Sequence, residues 1–267
     1  MRRTRAASRT GRTAWTTLSI VVLLLLAFSV QLVLSREQEF MLIQHAAVMP
    51  GWLLGDAARP PGAYSVPVWL TPLTAVFVQP GLVQFSLNLL WLVIFGPRLE
   101  RALGPVRLAL LLLPCVYGSA FFQALCVRNM TAVVGAGGLA GGVLGASLLL
   151  RPKRLLRLRL ASLSLPVPAI FLLVGWFAFD LLSALRDIAG AQPLRVAYPL
   201  HLAGFLLGAG CAALLRPRGA PLFDAGHPWF SLEEWDDDAR PRYPFGLAAL
   251  AGFYIAVAAA AIARGHV

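Results

Sequence analysis

An all-α polytopic membrane protein is the fold class this chain predicts, on three observations. Hydrophobic residues make up 58% of the 267 positions and mean hydropathy is +0.73, more than a soluble domain of this length carries. Seven windows come near the ~20 mostly apolar residues that a spanning helix needs: 14–34, 72–95, 105–126, 132–150, 166–185, 196–215 and 245–263. The basic residues crowd into alternate loops, as the positive-inside rule describes.

The first window follows Arg2, Arg3, Arg5, Arg9 and Arg12. A cleaved signal peptide has a short apolar core and a small-residue cleavage site. This run instead continues through Val30, Leu32 and Leu34 to Arg36. It reads as an uncleaved first helix behind a basic cytoplasmic N-terminus, residues 1–13. The loop that follows is too long for a simple connector. It carries Phe40, Met41, Leu42 and Ile43, then Pro50, Gly51 and Trp52. That mix predicts a partly ordered segment on the membrane surface, with Trp52 and Trp69 at interfacial depth. Windows one to six form one membrane domain, 14–215. Residues 216–244 form a cytoplasmic loop in which Glu233, Glu234, Asp236, Asp237 and Asp238 lie among Trp229, Phe230, Trp235 and Tyr243. It reads as a solvated loop, with docking of a soluble partner as the sharper alternative. Residues 245–267 give a seventh spanning helix and a short outer tail.

The net charge of +11 invites a nucleic-acid reading, and its distribution argues against one. With the N-terminus in the cytoplasm, most basic residues fall inside: those before the first helix, Arg98 to Arg107, Arg151 to Arg159, and Arg216 to Arg242. Arg36, Arg59, Arg128, Arg186, Arg195 and Arg264 fall outside. The charge sets topology, and the run Arg151 to Arg159 can also meet anionic headgroups. The lipid bilayer is the expected partner, with no nucleic acid. A bacterial inner membrane is expected, with the N-terminus cytoplasmic and the C-terminus outside. Cys115, Cys126 and Cys211 show no metal-ligand spacing and read as packing residues, so no metal or cofactor is expected. Inverted repeats and paired broken helices, the sequence marks of many transporters, are not evident.

Three segments carry candidate chemistry. The second window contains Gln84 and Asn88, then Phe95-Gly96-Pro97-Arg98-Leu99-Glu100. An i, i+4 spacing puts both amides on one helix face, where they can bond neighbouring helices in lipid. The fourth contains Gly135-Ala136-Gly137-Gly138 and two overlapping G-x-x-x-G patterns, Gly138 with Gly142 and Gly141 with Gly145. Such patterns let helices approach closely. The sixth contains His201 with Gly204 and Gly208. An ionisable residue in a membrane helix is costly and is a functional candidate by default. Under the charge-derived topology all three segments begin at the outer face. Gly137 then lies about 9 Å in, and Gln84 and His201 lie at comparable depth.

These segments, in this order, resemble the rhomboid family of intramembrane serine proteases over about residues 40–215. The resemblance implies a six-helix core, here with one added C-terminal helix. It implies His201 at the position of the catalytic base, and Gln84 and Asn88 at the positions of the oxyanion-stabilising His and Asn. The family's G-x-S-G places its nucleophile where this chain has Gly137. Asn88 and His201 are therefore retained, and the nucleophile and one oxyanion residue are changed. Serine hydrolysis needs a hydroxyl activated by a base, and neither Ser86, Ser119 nor Ser147 is a convincing substitute. The expectation is a pseudoprotease that binds transmembrane segments of client proteins in a lateral groove gated by the fifth helix. An active rhomboid-type endopeptidase by another route, and a structural or transport membrane protein, are the alternatives. Asp180, near the outer end of the fifth helix, reads as an acid capped by water at the interface, with lining of the gate as the alternative.

Overall fold

With no water in a bilayer to satisfy backbone polar groups, apolar spans close their hydrogen bonds internally as helices. The computed structural model describes residues 13–58, 66–127, 130–150, 155–160, 163–189 and 198–216. Their elements are α1 (Trp15–Val33), α2 (Arg36–Ala46), α3 (Pro50–Leu53), a single 3₁₀ turn (Val68–Leu70), α4 (Thr71–Ala75), α5 (Leu82–Leu103), α6 (Pro105–Cys126), α7 (Gly137–Leu150), β1 (Leu155–Leu160), β2 (Leu163–Pro168), α8 (Ala169–Ala189) and α9 (Tyr198–Leu215). Helices α1, α5, α6 and α9 are long and apolar enough to cross a membrane, and α7 is a shorter apolar helix. The fold is a helical polytopic membrane fold. The acidic loop after Arg216 and the seventh helix lie outside the described residues.

Two predicted spans begin later than expected. Thr71–Ala75 forms its own short helix, and α5 starts only at Leu82. Pro80 and Gly81 separate them, since proline brings no backbone N–H to a continuing helix. Likewise α7 starts at Gly137 rather than near residue 132. Val133 instead pairs with Val48 across an isolated antiparallel bridge. The chain then turns at Gly135 with φ +108°, a left-handed value that favours glycine.

A third difference lies in the basic segment expected to be a loop. Leu155 to Leu160 alternates leucine with Arg157 and Arg159, a period-two pattern. It pairs antiparallel with β2, from Leu155 opposite Pro168 to Leu160 opposite Leu163. In the long outer loop, the described residues include the short helices α2 and α3. Ser35 accepts from the Gln38 backbone N–H while the Gln38 side chain accepts from the Ser35 N–H, a capping box that starts α2.

The core forms where α1, α5, α6, α7 and α9 meet. Phe28 stacks on Phe85 with centroids 4.1 Å apart, and Leu24, Leu89, Leu92, Leu108 and Leu111 are buried around them. At the end of α5, Gly96 lies against Thr17 so closely that a Cβ would not fit. One turn later the buried Glu100 accepts from the backbone N–H groups of Thr16 (2.9 Å) and Thr17 (2.8 Å) and from the Thr17 hydroxyl (2.7 Å). Helix α1 has no cap of its own, so the Phe95–Glu100 segment supplies one from another helix.

Candidate functional site at the α7–α9 contact

Local geometry fixes where α7 and α9 begin. The Gly135 N–H donates to the Ala75 carbonyl at 2.9 Å, which ties the turn before α7 to α4. The first residue of α7 is then Gly137. On α9, the Leu200 N–H donates to Oε1 of the buried Gln123 at 3.1 Å. A side chain of α6 thus satisfies an orphan donor at the start of α9 and sets the height of the next residue, His201.

The two helices touch backbone to backbone. A Cβ on Gly138 would meet Ser119, one on Gly204 would meet the Gly138 backbone, and one on Gly208 would meet the Gly142 backbone, each at under 3.0 Å. The paired glycines of α7 and α9 therefore allow an approach that alanine would not.

That approach brings Gly137 and His201 together. A Cβ on Gly137 would lie under 3.0 Å from Nε2 and Cδ2 of His201. The imidazole occupies the space that a side chain at 137 would take. Its other nitrogen, Nδ1, lies 2.5 Å from Oδ2 of Asp180 on α8. With Nδ1 directed at the carboxylate, Nε2 is the ring nitrogen that faces Gly137. The Trp176 ring, one turn before Asp180, stacks on the imidazole with centroids 5.3 Å apart and planes at 27°, and its edge reaches Gly141 on α7. His201, Asp180 and Trp176 are 3%, 5% and 2% exposed. Among the described residues, Asp180 Oδ1 and Trp176 Nε1 are buried without a hydrogen-bond partner.

This corrects the reading of Asp180 as a water-capped acid at the interface. The fifth span was expected to end at 185, but α8 runs to Ala189, which puts Asp180 about 13 Å from that end. The signal available in the sequence was the i, i+4 spacing of Trp176 and Asp180, which puts two polar-tipped side chains on one face of α8.

The amides sit apart from this cluster. Gln84 is half-buried, and its Nε2 donates to Asn88 Oδ1 at 3.4 Å, long for a hydrogen bond. Asn88 is buried and its Nδ2 has no partner. Among the described residues no hydrogen bond joins either amide to His201. A small apolar pocket lies beside Gly138, lined by Val116, Ser119, Ala120, Leu139 and Leu200 among others. The Ser119 hydroxyl is buried and donates to the Val116 carbonyl at 3.2 Å. No group of three His, Cys, Asp or Glu able to hold a metal ion occurs among the described residues.

This arrangement places a carboxylate-held imidazole against the first turn of a glycine-rich membrane helix. A sequence model of the Rhomboid domain matches residues 67–218, more than half of the chain. The protein belongs to the rhomboid family. Its sequence is similar to RHOMBOID-like protein 6, mitochondrial, of Arabidopsis thaliana, with 33% identity over 76 residues, or 28% of this chain and 24% of that protein. The match thus spans about a quarter of the relative's length. No solved structure matches the chain.

Proposed function

We propose that this rhomboid-family membrane protein is proteolytically inactive and holds transmembrane segments of client proteins in a lateral groove gated by α8. One observation carries the reading: the nucleophile position is Gly137, and His201 fills the space where an attacking side chain would sit. A base without a nucleophile leaves only binding and dipole effects, about 10³–10⁴-fold over water. What remains for holding includes the idle donor of Asn88, unpartnered among the described residues, which can take a backbone carbonyl. The charge asymmetry supports a cytoplasmic N-terminus, with a bacterial plasma membrane as the first reading. The mitochondrial name of the Arabidopsis relative favours an organellar membrane as the second reading, and fractionation of the native source separates the two.

The test is cleavage of a membrane-spanning reporter, together with labelling by a serine-reactive fluorophosphonate. The native chain is expected to cut nothing and to remain unlabelled. The His–Asp pair does favour one rival: a base oriented by a carboxylate can activate water directly. Cleavage by the native chain that disappears in both His201→Ala and Asp180→Ala would establish that rival and end the inactive reading. Cleavage only by the double variant Gly137→Ser with Gln84→His would mark a scaffold that lost its chemistry and kept its site.

Gly137→Ser alone has a separate expected result. Its Cβ must displace an imidazole held by Asp180 and Trp176 on its far side. Overpacking of this kind costs about 1–3 kcal/mol. The variant should unfold at lower denaturant or temperature than the native protein and gain no fluorophosphonate labelling.

A further inference from the structure

We propose that the Asp180–His201 pair is a latch that holds α8 closed against α7 and α9, an inference that rests on the client-holding reading above. Helix α8 carries its polar attachment on one face. Trp176 and Asp180, one turn apart, are buried and both engage His201. Phe177 adds an edge contact to Phe205 on α9, with centroids 5.3 Å apart. Phe171, Val174, Leu181, Leu182 and Leu185 are exposed on the other side, as a lipid-facing surface requires. Among the described side chains of α8, the polar link to the site residues runs through one imidazole.

The chemistry suits a contact that opens. A hydrogen bond between two buried polar groups yields little net stability, because desolvation of both groups offsets their attraction. In the closed state one carboxylate oxygen, Asp180 Oδ1, and one donor, Trp176 Nε1, stay unpartnered. A transmembrane segment whose helix is broken offers both a free backbone N–H and a free C=O. Such a segment satisfies both idle groups, which a continuous helix cannot do. The missing side chain at 137 is part of the device. Without a Cβ there, the imidazole lies against α7 while Nδ1 reaches Asp180, so the change that removes the nucleophile lets the histidine bridge three helices.

The experiment uses the full chain in lipid nanodiscs, with spin labels on Leu182→Cys and on the native, exposed Cys126, and with Cys211→Ala to leave one label pair. The probe is a leucine–alanine transmembrane peptide with a central Gly-Pro break and a photoreactive diazirine. Asp180→Ala and His201→Asn should each lengthen and broaden the α8–α6 distance, and His201→Asn, which leaves both idle groups in place, should raise peptide capture about 5-fold or more, the lower end of ordinary coupling energies. The double variant should go no further than either single one, because both remove the same contact. Asp180→Asn keeps the side-chain volume, guards against misfolding, and should fall between. Unchanged distances in all the single variants overturn the latch, whatever the capture. Distances that lengthen without added capture uphold the latch and count against the client-holding reading.

Discussion

Gly204→Val is expected to destabilise the protein by about 3 kcal/mol, the upper part of the usual range for overpacking, and to pull His201 away from Gly137. The neighbour that a Cβ would strike is the backbone of Gly138, with its O, C and Cα all under 3.0 Å away. A flexible side chain could swing aside, but a helix backbone moves only as a unit. The displacement therefore spreads along α9, past Gly208 against Gly142 and back to His201. An internal control lies on the same helix. Gly210 has nothing within 4 Å of a Cβ position, so Gly210→Ala should be neutral or stabilising by about 0.5–1 kcal/mol through helix propensity alone. Unfolding midpoints in mixed detergent, measured for both, check the pair. Equal midpoints would mean that the α7–α9 approach contributes nothing special.

Glu100→Ala is expected to cost about 3–5 kcal/mol. The carboxylate is 4% exposed and accepts three hydrogen bonds from the first turn of α1. Bonds to charged acceptors contribute about 1.5–3 kcal/mol each, and buried donors left unpaired add a penalty. The positive end of the α1 dipole also loses its counter-charge. Glu100→Gln keeps one acceptor oxygen but turns an NH₂ group toward N–H donors, so its loss should be intermediate. Hydrogen exchange localises the effect: the amides of Thr16 and Thr17 should lose protection before those of α5. Uniform loss across both helices would place the role of Glu100 elsewhere.

Much of the architecture was legible because bilayer physics leaves few choices. The length and apolar content of windows 14–34, 105–126 and 196–215 have their counterparts in α1, α6 and α9 with little adjustment. The misplaced starts of α5 and α7 share one cause. Apolar composition continues through Val76–Val78 and Ala132–Val134, but Pro80 and the turn at Gly135 interrupt the helical path. Hydropathy counts side chains and does not register either backbone event. The hairpin was missed for the opposite reason: Arg157 and Arg159 were weighed as charges, and their alternation with leucine was not.

At the candidate site, Gly137 and His201 could be singled out because Gly137 stands in a run of small residues and His201 is an ionisable residue in an apolar span. Their direct contact was not legible, since it depends on helices α7 and α9 closing to backbone distance at Gly138, Gly141, Gly142 and Gly145 on one side and Gly204 and Gly208 on the other. Asp180 shows the limit most clearly. Its burial and its partner depend on where α8 ends and which way that helix is rotated, and neither quantity is encoded in the residue itself.

By itself the sequence determined the apolar solvent and the absence of a side chain at Gly137, because these follow from composition and residue identity alone. Only the tertiary structure decided what became of the retained histidine. With no side chain opposite it, the imidazole lies against α7 and reaches the Asp180 carboxylate, a partner twenty-one residues away in sequence that helix packing alone brings within 2.5 Å.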